Sequence, residues 1–171
     1  EVMNLTLEPI ASINVAIPQN LRLLNLALVD VGAGTSDIAI SKDGSVISYG
    51  MVALAGDEIT EKIAQTYLLD FNNAETLKIG LCHNEMNAFT DVLGMRHQMA
   101  TDEIMSQIDA LIDHITKEVA ENIIQLNKKS PSAVFCIGGG AQIPGFTKSL
   151  AGHLDLPVER VVIKSVENLD M

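Results

Sequence analysis

Apolar and polar positions change period several times along the chain, and each change marks an element. Residues 4–17 mix the two at helical spacing and close near Pro18, which predicts a first helix. Leu26–Val31 is almost continuously apolar, the pattern of a strand buried on both faces. A Gly-rich turn follows, then Asp37-Ile38-Ala39-Ile40 as a second strand. Lys42-Asp43-Gly44 predicts a tight hairpin turn, because Asp-Gly accepts the positive φ angles that such a connection needs. A third strand is expected over about residues 45–54, giving three consecutive antiparallel strands.

The period then lengthens. Gly56-Asp57-Glu58 opens a helix expected to reach Leu69, with acids placed favourably in its first turn. A second helix is expected over 73–80. Residues 82–100 are the least periodic stretch, with short strands expected near 88–92 and 96–99. Thr101 is expected to cap a long helix carrying Asp102 and Glu103 at its start and Lys128 and Lys129 at its end. Its apolar stripe, Ile104, Ile108, Leu111, Ile115, Val119 and Ile123, has the spacing of a helix buried on one face. A strand at Ala133–Ile137 runs into Gly138-Gly139-Gly140, a short helix ends near His153, and 156–163 reads as extended. There is no internal repeat. The order predicts an α/β layered domain with a mixed sheet.

Composition narrows the function classes. Of 171 residues, 47% are hydrophobic but only 4% aromatic, so the core is aliphatic and base stacking on single-stranded nucleic acid is disfavoured. The net charge of −11, from 22 acids and 11 bases, repels phosphate backbones and anionic lipid and also serves solubility. No apolar run reaches the roughly 20 residues that span a bilayer, and the start Glu1-Val2-Met3-Asn4 lacks the features of a signal peptide. Beginning on Glu1 suggests a piece of a longer protein. Cys82 and Cys136 form no pattern, Cys136 reading as a small core residue, and a reducing, cytosolic setting is the simplest inference. His83, His97, His114 and His153 stand at no metal-ligand spacing with one another or with either Cys. Met86, Met95, Met99 and Met105 gather around the insert, as core filling or as an adaptable partner surface.

Two segments carry candidate chemistry. Residues 28–37, Leu-Val-Asp-Val-Gly-Ala-Gly-Thr-Ser-Asp, deliver Asp30 at the end of a buried strand and then turn through small residues. With little side chain in the way, backbone N–H groups can line a concavity for an anion. An acid beside such a nest makes sense if a divalent cation sits between, magnesium taking one carboxylate, waters and phosphate oxygens. An ordinary Gly-rich hairpin is the equal alternative. Residues 137–145, Ile-Gly-Gly-Gly-Ala-Gln-Ile-Pro-Gly, place three glycines between a strand and a helix, where a flat ligand can lie against the backbone. A strained turn without ligand is the alternative there.

Residues 30–37 resemble the second phosphate motif of the actin, sugar kinase and heat-shock chaperone superfamily. Residues 138–145 resemble its adenosine motif. Within it the chain is most similar to the bacterial cell-division family FtsA. That resemblance is supported by residues 7–12 (Leu-Glu-Pro-Ile-Ala-Ser), 55–60 (Ala-Gly-Asp-Glu-Ile-Thr) and 74–79 (Ala-Glu-Thr-Leu-Lys-Ile). It implies the second lobe of an actin-like ATPase with a ribonuclease H-like fold. The lobe would span 1–171, with a small inserted subdomain at about 80–100 plus part of the long helix 101–128.

The resemblance also implies ATP and Mg as cofactors. Asp30 would hold Mg through its water shell, and Gly32, Ala33, Gly34 and Thr35 would surround the phosphates. Glu75 and Lys78 would contact the ribose hydroxyls, with Gly138, Gly139 and Gly140 beside the adenosine. Read without the family, Glu75 and Lys78 are a surface i,i+3 ion pair. The family usually has glycine at the position of Ala33; if a positive φ is needed there, alanine costs about 1 kcal/mol. The superfamily closes ATP between two lobes, the first supplying another Asp-x-Gly loop that these residues do not repeat, so the chain alone is expected not to turn ATP over. Filament self-association and the tubulin-like protein FtsZ are the implied partners. The implied place is the cytoplasm, at the inner face of the membrane through segments not present here. A non-hydrolysing scaffold of the pilus-assembly type and a chaperone-type ATPase are the alternatives.

Overall fold

The computed structural model describes residues 8–164. Helix α1 (Glu8–Ala16) leads into a hairpin meander, β1 (Leu26–Val31), β2 (Ser36–Lys42) and β3 (Ser45–Val52). Residues 4–7 of the expected first helix lie outside the described residues. Helices α2 (Gly56–Tyr67) and α3 (Phe71–Gly80) follow, then a separate two-stranded sheet of β4 (Met86–Thr90) and β5 (Arg96–Ala100). The 27-residue helix α4 (Thr101–Asn127) returns the chain to β6 (Ala133–Ile137), and α5 (Phe146–His153) leads to β7 (Val161–Ile163). The main sheet has the order β3-β2-β1-β6-β7. Its first three strands are antiparallel, while β1–β6 and β6–β7 pair in parallel, so the sheet is mixed.

Central strand β1 is buried on both faces, as its unbroken apolar run predicts. Ala27, Val29 and Val31, with Ile38 and Ile40 of β2, meet Ile104, Ile108, Ile115, Val119 and Ile123 in one aliphatic core. Leu26, Leu28, Ala39, Phe135 and Ile137 face the other way, onto Ile13, Ala16 and Ile17 at α1. Cys136 is buried in the larger core, and burial pushes its thiol pKa up to about 12.

Several boundaries move for local reasons. Helix α3 starts at Phe71, not 73, because the Asp70 carboxylate accepts the Asn73 N–H at 3.0 Å and caps it. Helix α2 stops at Tyr67, with Leu68 left-handed at φ 51°. Thr101 is the first residue of α4 and not its cap. Its hydroxyl instead donates to the Asn84 carbonyl and accepts the Asn87 amide at 2.9 Å, tying the small sheet to the helix. Within the stripe of α4, Ile112 takes the buried place and Leu111 is half-buried. The 156–163 stretch is divided: a single turn at Val158–Arg160, started by Pro157, precedes the three residues of β7. The methionines split as well, Met105 being buried while Met86 and Met95 are exposed.

The small sheet is pinned at its tip. Asp91 accepts the N–H groups of Leu93 and Met95 and the His97 Nε2, each at 2.9 Å. These bonds, that from His97 first, hold its carboxyl below the usual carboxylate range. His97 stacks on Phe89 with ring centroids 5.0 Å apart, and Phe89 meets the Tyr67 ring at 5.4 Å.

Candidate functional site

Parallel pairing of β1 with β6 sets Asp30 beside Ile137, so two motifs a hundred residues apart in sequence finish at the same edge of the sheet. Ligands of open α/β sheets bind in the crevice beyond such strand ends. On one side is the hairpin between β1 and β2, all four of its residues, Gly32 to Thr35, exposed. Gly32 N–H donates to Thr35 O at 2.9 Å, and the Thr35 hydroxyl donates to Asp37 Oδ2 at 3.2 Å. The carbonyls of Gly32 and Ala33 are taken by the first amides of α2, Gly56 N at 3.1 Å and Asp57 N at 2.8 Å. Among the described residues, no group accepts the N–H of Ala33, Gly34 or Thr35. Ala33 is not among the described residues with positive φ, so the strain expected of an alanine in this turn is absent.

The second turn is built differently. Gly138 has φ +87°, and a Cβ there would lie 2.3 Å from Val31 O and 2.8 Å from Asp30 Oδ1. A Cβ on Gly140 would lie 2.5 Å from Val31 Cγ1. The turn therefore presses against the end of β1, and the missing Cβ of Gly138 is what leaves room for the Asp30 carboxylate.

Between the two turns and α3 lies a cavity of about 330 Å³. Of the residues singled out by sequence, Gly32, Ala33, Glu75, Lys78, Gly139 and Gly140 line it. Asp30, Gly34, Thr35 and Gly138 are not among its lining residues. The wall also includes Asp57, Ile79, Cys82, His83, Gln142 and Ile143, to which sequence reasoning gave no role in the site. Helical spacing was the available signal for two of them, since Ile79 and Cys82 continue the Glu75 face at i+4 and i+7.

Glu75 and Lys78 do form the i,i+3 pair, at 2.6 Å, but it is no surface pair, because Lys78 is only 8% exposed. The Lys78 ammonium also donates to Thr60 Oγ1 at 2.8 Å and to Gly56 O at 3.1 Å. The Thr60 hydroxyl in turn donates to Glu75 Oε2 at 2.5 Å. Burial pushes the Glu75 carboxyl up, but the bonds from Lys78 and Thr60 outweigh it and hold it below its ordinary value. At the far end of the wall, burial raises the Cys82 thiol, with the Lys78 charge pulling the other way.

The sequence matches the family of the cell division protein FtsA over residues 27–169. The FtsA protein of Bacillus subtilis is 25% identical over 155 residues, which cover 85% of this chain and 35% of that protein. The chain thus spans about a third of that relative's length. A solved PilM–PilN type IV pilus biogenesis complex superposes with a TM-score of 0.74 at 18% identity, over 96% of this chain and 43% of that one. MreB 5 of Spiroplasma citri, solved with AMPPNP, superposes with a TM-score of 0.65 at 22% identity, over 91% and 52%. At such identities the likeness is one of fold, and the fold is actin-like.

Proposed function

The chain belongs to the FtsA family of cell division proteins, and from that premise we propose that its cavity is one half of an interlobe site for Mg-ATP. One observation carries the reading: the three open amides of Ala33, Gly34 and Thr35 stand at the same sheet edge as the Gly138–Gly140 turn. An anion-accepting loop and a flat backbone surface at that separation suit a phosphate chain joined to a nucleoside. The hairpin amides would take the β- and γ-phosphates. Gly139 and Gly140 would lie against the adenosine. Glu75 and Lys78 form the ribose side, where the second Glu75 oxygen, Oε1, would accept a ribose hydroxyl. Asp30 fits a water-mediated Mg ligand, because its carboxylate sits in the cradle left open at Gly138. The metal would offset phosphate charge at a site whose lining carries the acids Asp57 and Glu75.

Turnover requires groups aimed at the γ-phosphate from more than one side. The chain by itself binds nucleotide and does not hydrolyse it, and a turnover rate equal to that of the full-length protein would overturn this. In the same reading the lobe joins others into filaments and meets FtsZ through the small sheet and the start of α4. No helix of the described residues is long and apolar enough to cross a membrane.

Nucleotide titration of the full-length protein, with and without Mg, tests the site. Asp30→Ala should abolish the Mg-dependent gain in ATP affinity while leaving adenosine binding in place. Equal gains in variant and wild type would remove Asp30 from the metal.

A further inference from the structure

We propose that Asp57 is a specificity-determining residue of this site, its unpaired carboxylate making the cavity favour the Mg complex of a nucleotide over the free polyphosphate. The inference rests on the nucleotide reading above. Among the described residues, three side chains charged at neutral pH line the cavity: Asp57, Glu75 and Lys78. Glu75 and Lys78 cancel as an ion pair at 2.6 Å. Asp57 has no such partner, since its carboxylate makes no hydrogen bond and no ion pair with any described residue. The wall therefore carries a net negative charge, and Asp57 is where that charge sits.

The backbone puts this charge beside the phosphate donors. Asp57 is the second residue of α2, and its N–H holds the Ala33 carbonyl at 2.8 Å. Ala33 begins the run of three open amides and lines the cavity with Asp57, so carboxylate and anion-accepting hairpin share one corner. The positive end of α2 sustains the carboxylate there without an ion-pair partner. Asp57 is half-buried, so water screens it only in part. A bare polyphosphate entering this corner meets an acid of its own sign. A divalent cation bound to the phosphates cancels a share of their charge and with it a share of the repulsion. Adenosine, uncharged, is indifferent to it. The role is distinct from that of Asp30. Asp30 attracts the metal and so favours the complex, whereas Asp57 penalises the nucleotide that arrives without one.

Two variants of the full-length protein test this: Asp57→Asn, which keeps the shape and removes the charge, and Asp57→Glu, which keeps the charge. Affinities for adenosine, for ATP in EDTA and for ATP with Mg are measured at low and at high salt. Asp57→Asn should bind ATP in EDTA about fivefold more tightly at low salt, the scale of one unit charge acting across a partly solvated cavity. Mg-ATP should gain less and adenosine nothing. The gain should fade at high salt, where the charge is screened, and Asp57→Glu should match wild type. Asp57→Ser repeats the measurement where the Asn variant fails to fold. A metal-ligand role predicts the reverse, weaker Mg-ATP with unchanged affinity in EDTA, and that result overturns the proposal. Weaker adenosine binding by Asp57→Asn also overturns it, by making Asp57 a nucleoside contact, as does an Asn variant equal to wild type in EDTA. A wild-type protein that binds neither adenosine nor Mg-ATP defeats the nucleotide reading and this proposal with it, an outcome visible before any variant is made.

Discussion

The two glycine turns that flank the cavity look alike in sequence and differ in what holds them. The turn at Gly138–Gly140 is shaped from within: φ is +87° at Gly138, and any Cβ at Gly138 or Gly140 would run into Val31. The hairpin at Gly32–Thr35 is shaped from outside. Gly34 has no atom within 4 Å of a would-be Cβ, and Ala33 already carries one without strain. Its form comes from α2, whose amides hold the carbonyls of Gly32 and Ala33, and whose first residue, Gly56, gives its carbonyl to the Lys78 ammonium. Glycine is thus a requirement of close packing in one turn. In the other it leaves room for whatever the turn receives.

Substitutions can break that contrast. Gly138→Ala should have the largest effect, a loss of at least about 3 kcal/mol in unfolding free energy, since backbone strain and a clash with a main-chain oxygen add together. A change below 1 kcal/mol in denaturant unfolding would show that the turn has slack. Gly140→Ala comes next, at about 2 kcal/mol, because the nearest atom is the Val31 side chain, which can give.

Acid sharpens the same contrast from the other side. Glu75 is held below its ordinary value of 4.5, so its contribution is present above that pH and is lost as the pH falls through the lowered pKa. The Gly56 and Asp57 amides, which hold the hairpin carbonyls, should therefore exchange faster on acidification, relative to the intrinsic rate, and the Gly138 turn should be unaffected. A Glu75→Gln variant that shows the same acid response would disprove the link. The smallest effect is expected for Gly34→Ala, within about 0.5 kcal/mol in stability. If its nucleotide affinity nevertheless drops in titration, glycine is kept at that position for the ligand.

Most of the frame was legible in the residues. The unbroken apolar run of Leu26–Val31 announced a strand buried on both faces, and Ala133–Ile137 was placed to the residue. What could not be read was set by distant partners. Thr101 looks like a helix cap in any local window, but Asn84 and Asn87 claim its hydroxyl. Glu75 and Lys78 look like a surface pair until α2 packs over them and buries the lysine. For the cavity wall, Glu75 and the glycines carried visible signals. His83 did not, because such a side chain sits on most surfaces and only the fold brings it to the cavity.

The parallel register of β1 against β6 also fixes an order of assembly. β1, β2 and β3 are joined by short turns and can pair as soon as they exist, whereas Asp30 finds Ile137 only after more than a hundred further residues have left the ribosome. Until then one edge of the central strand β1 stays open, and closing it carries the entropic cost of a very long loop. Completion of the sheet is thus a late event in synthesis, and the same event brings the two halves of the cavity together.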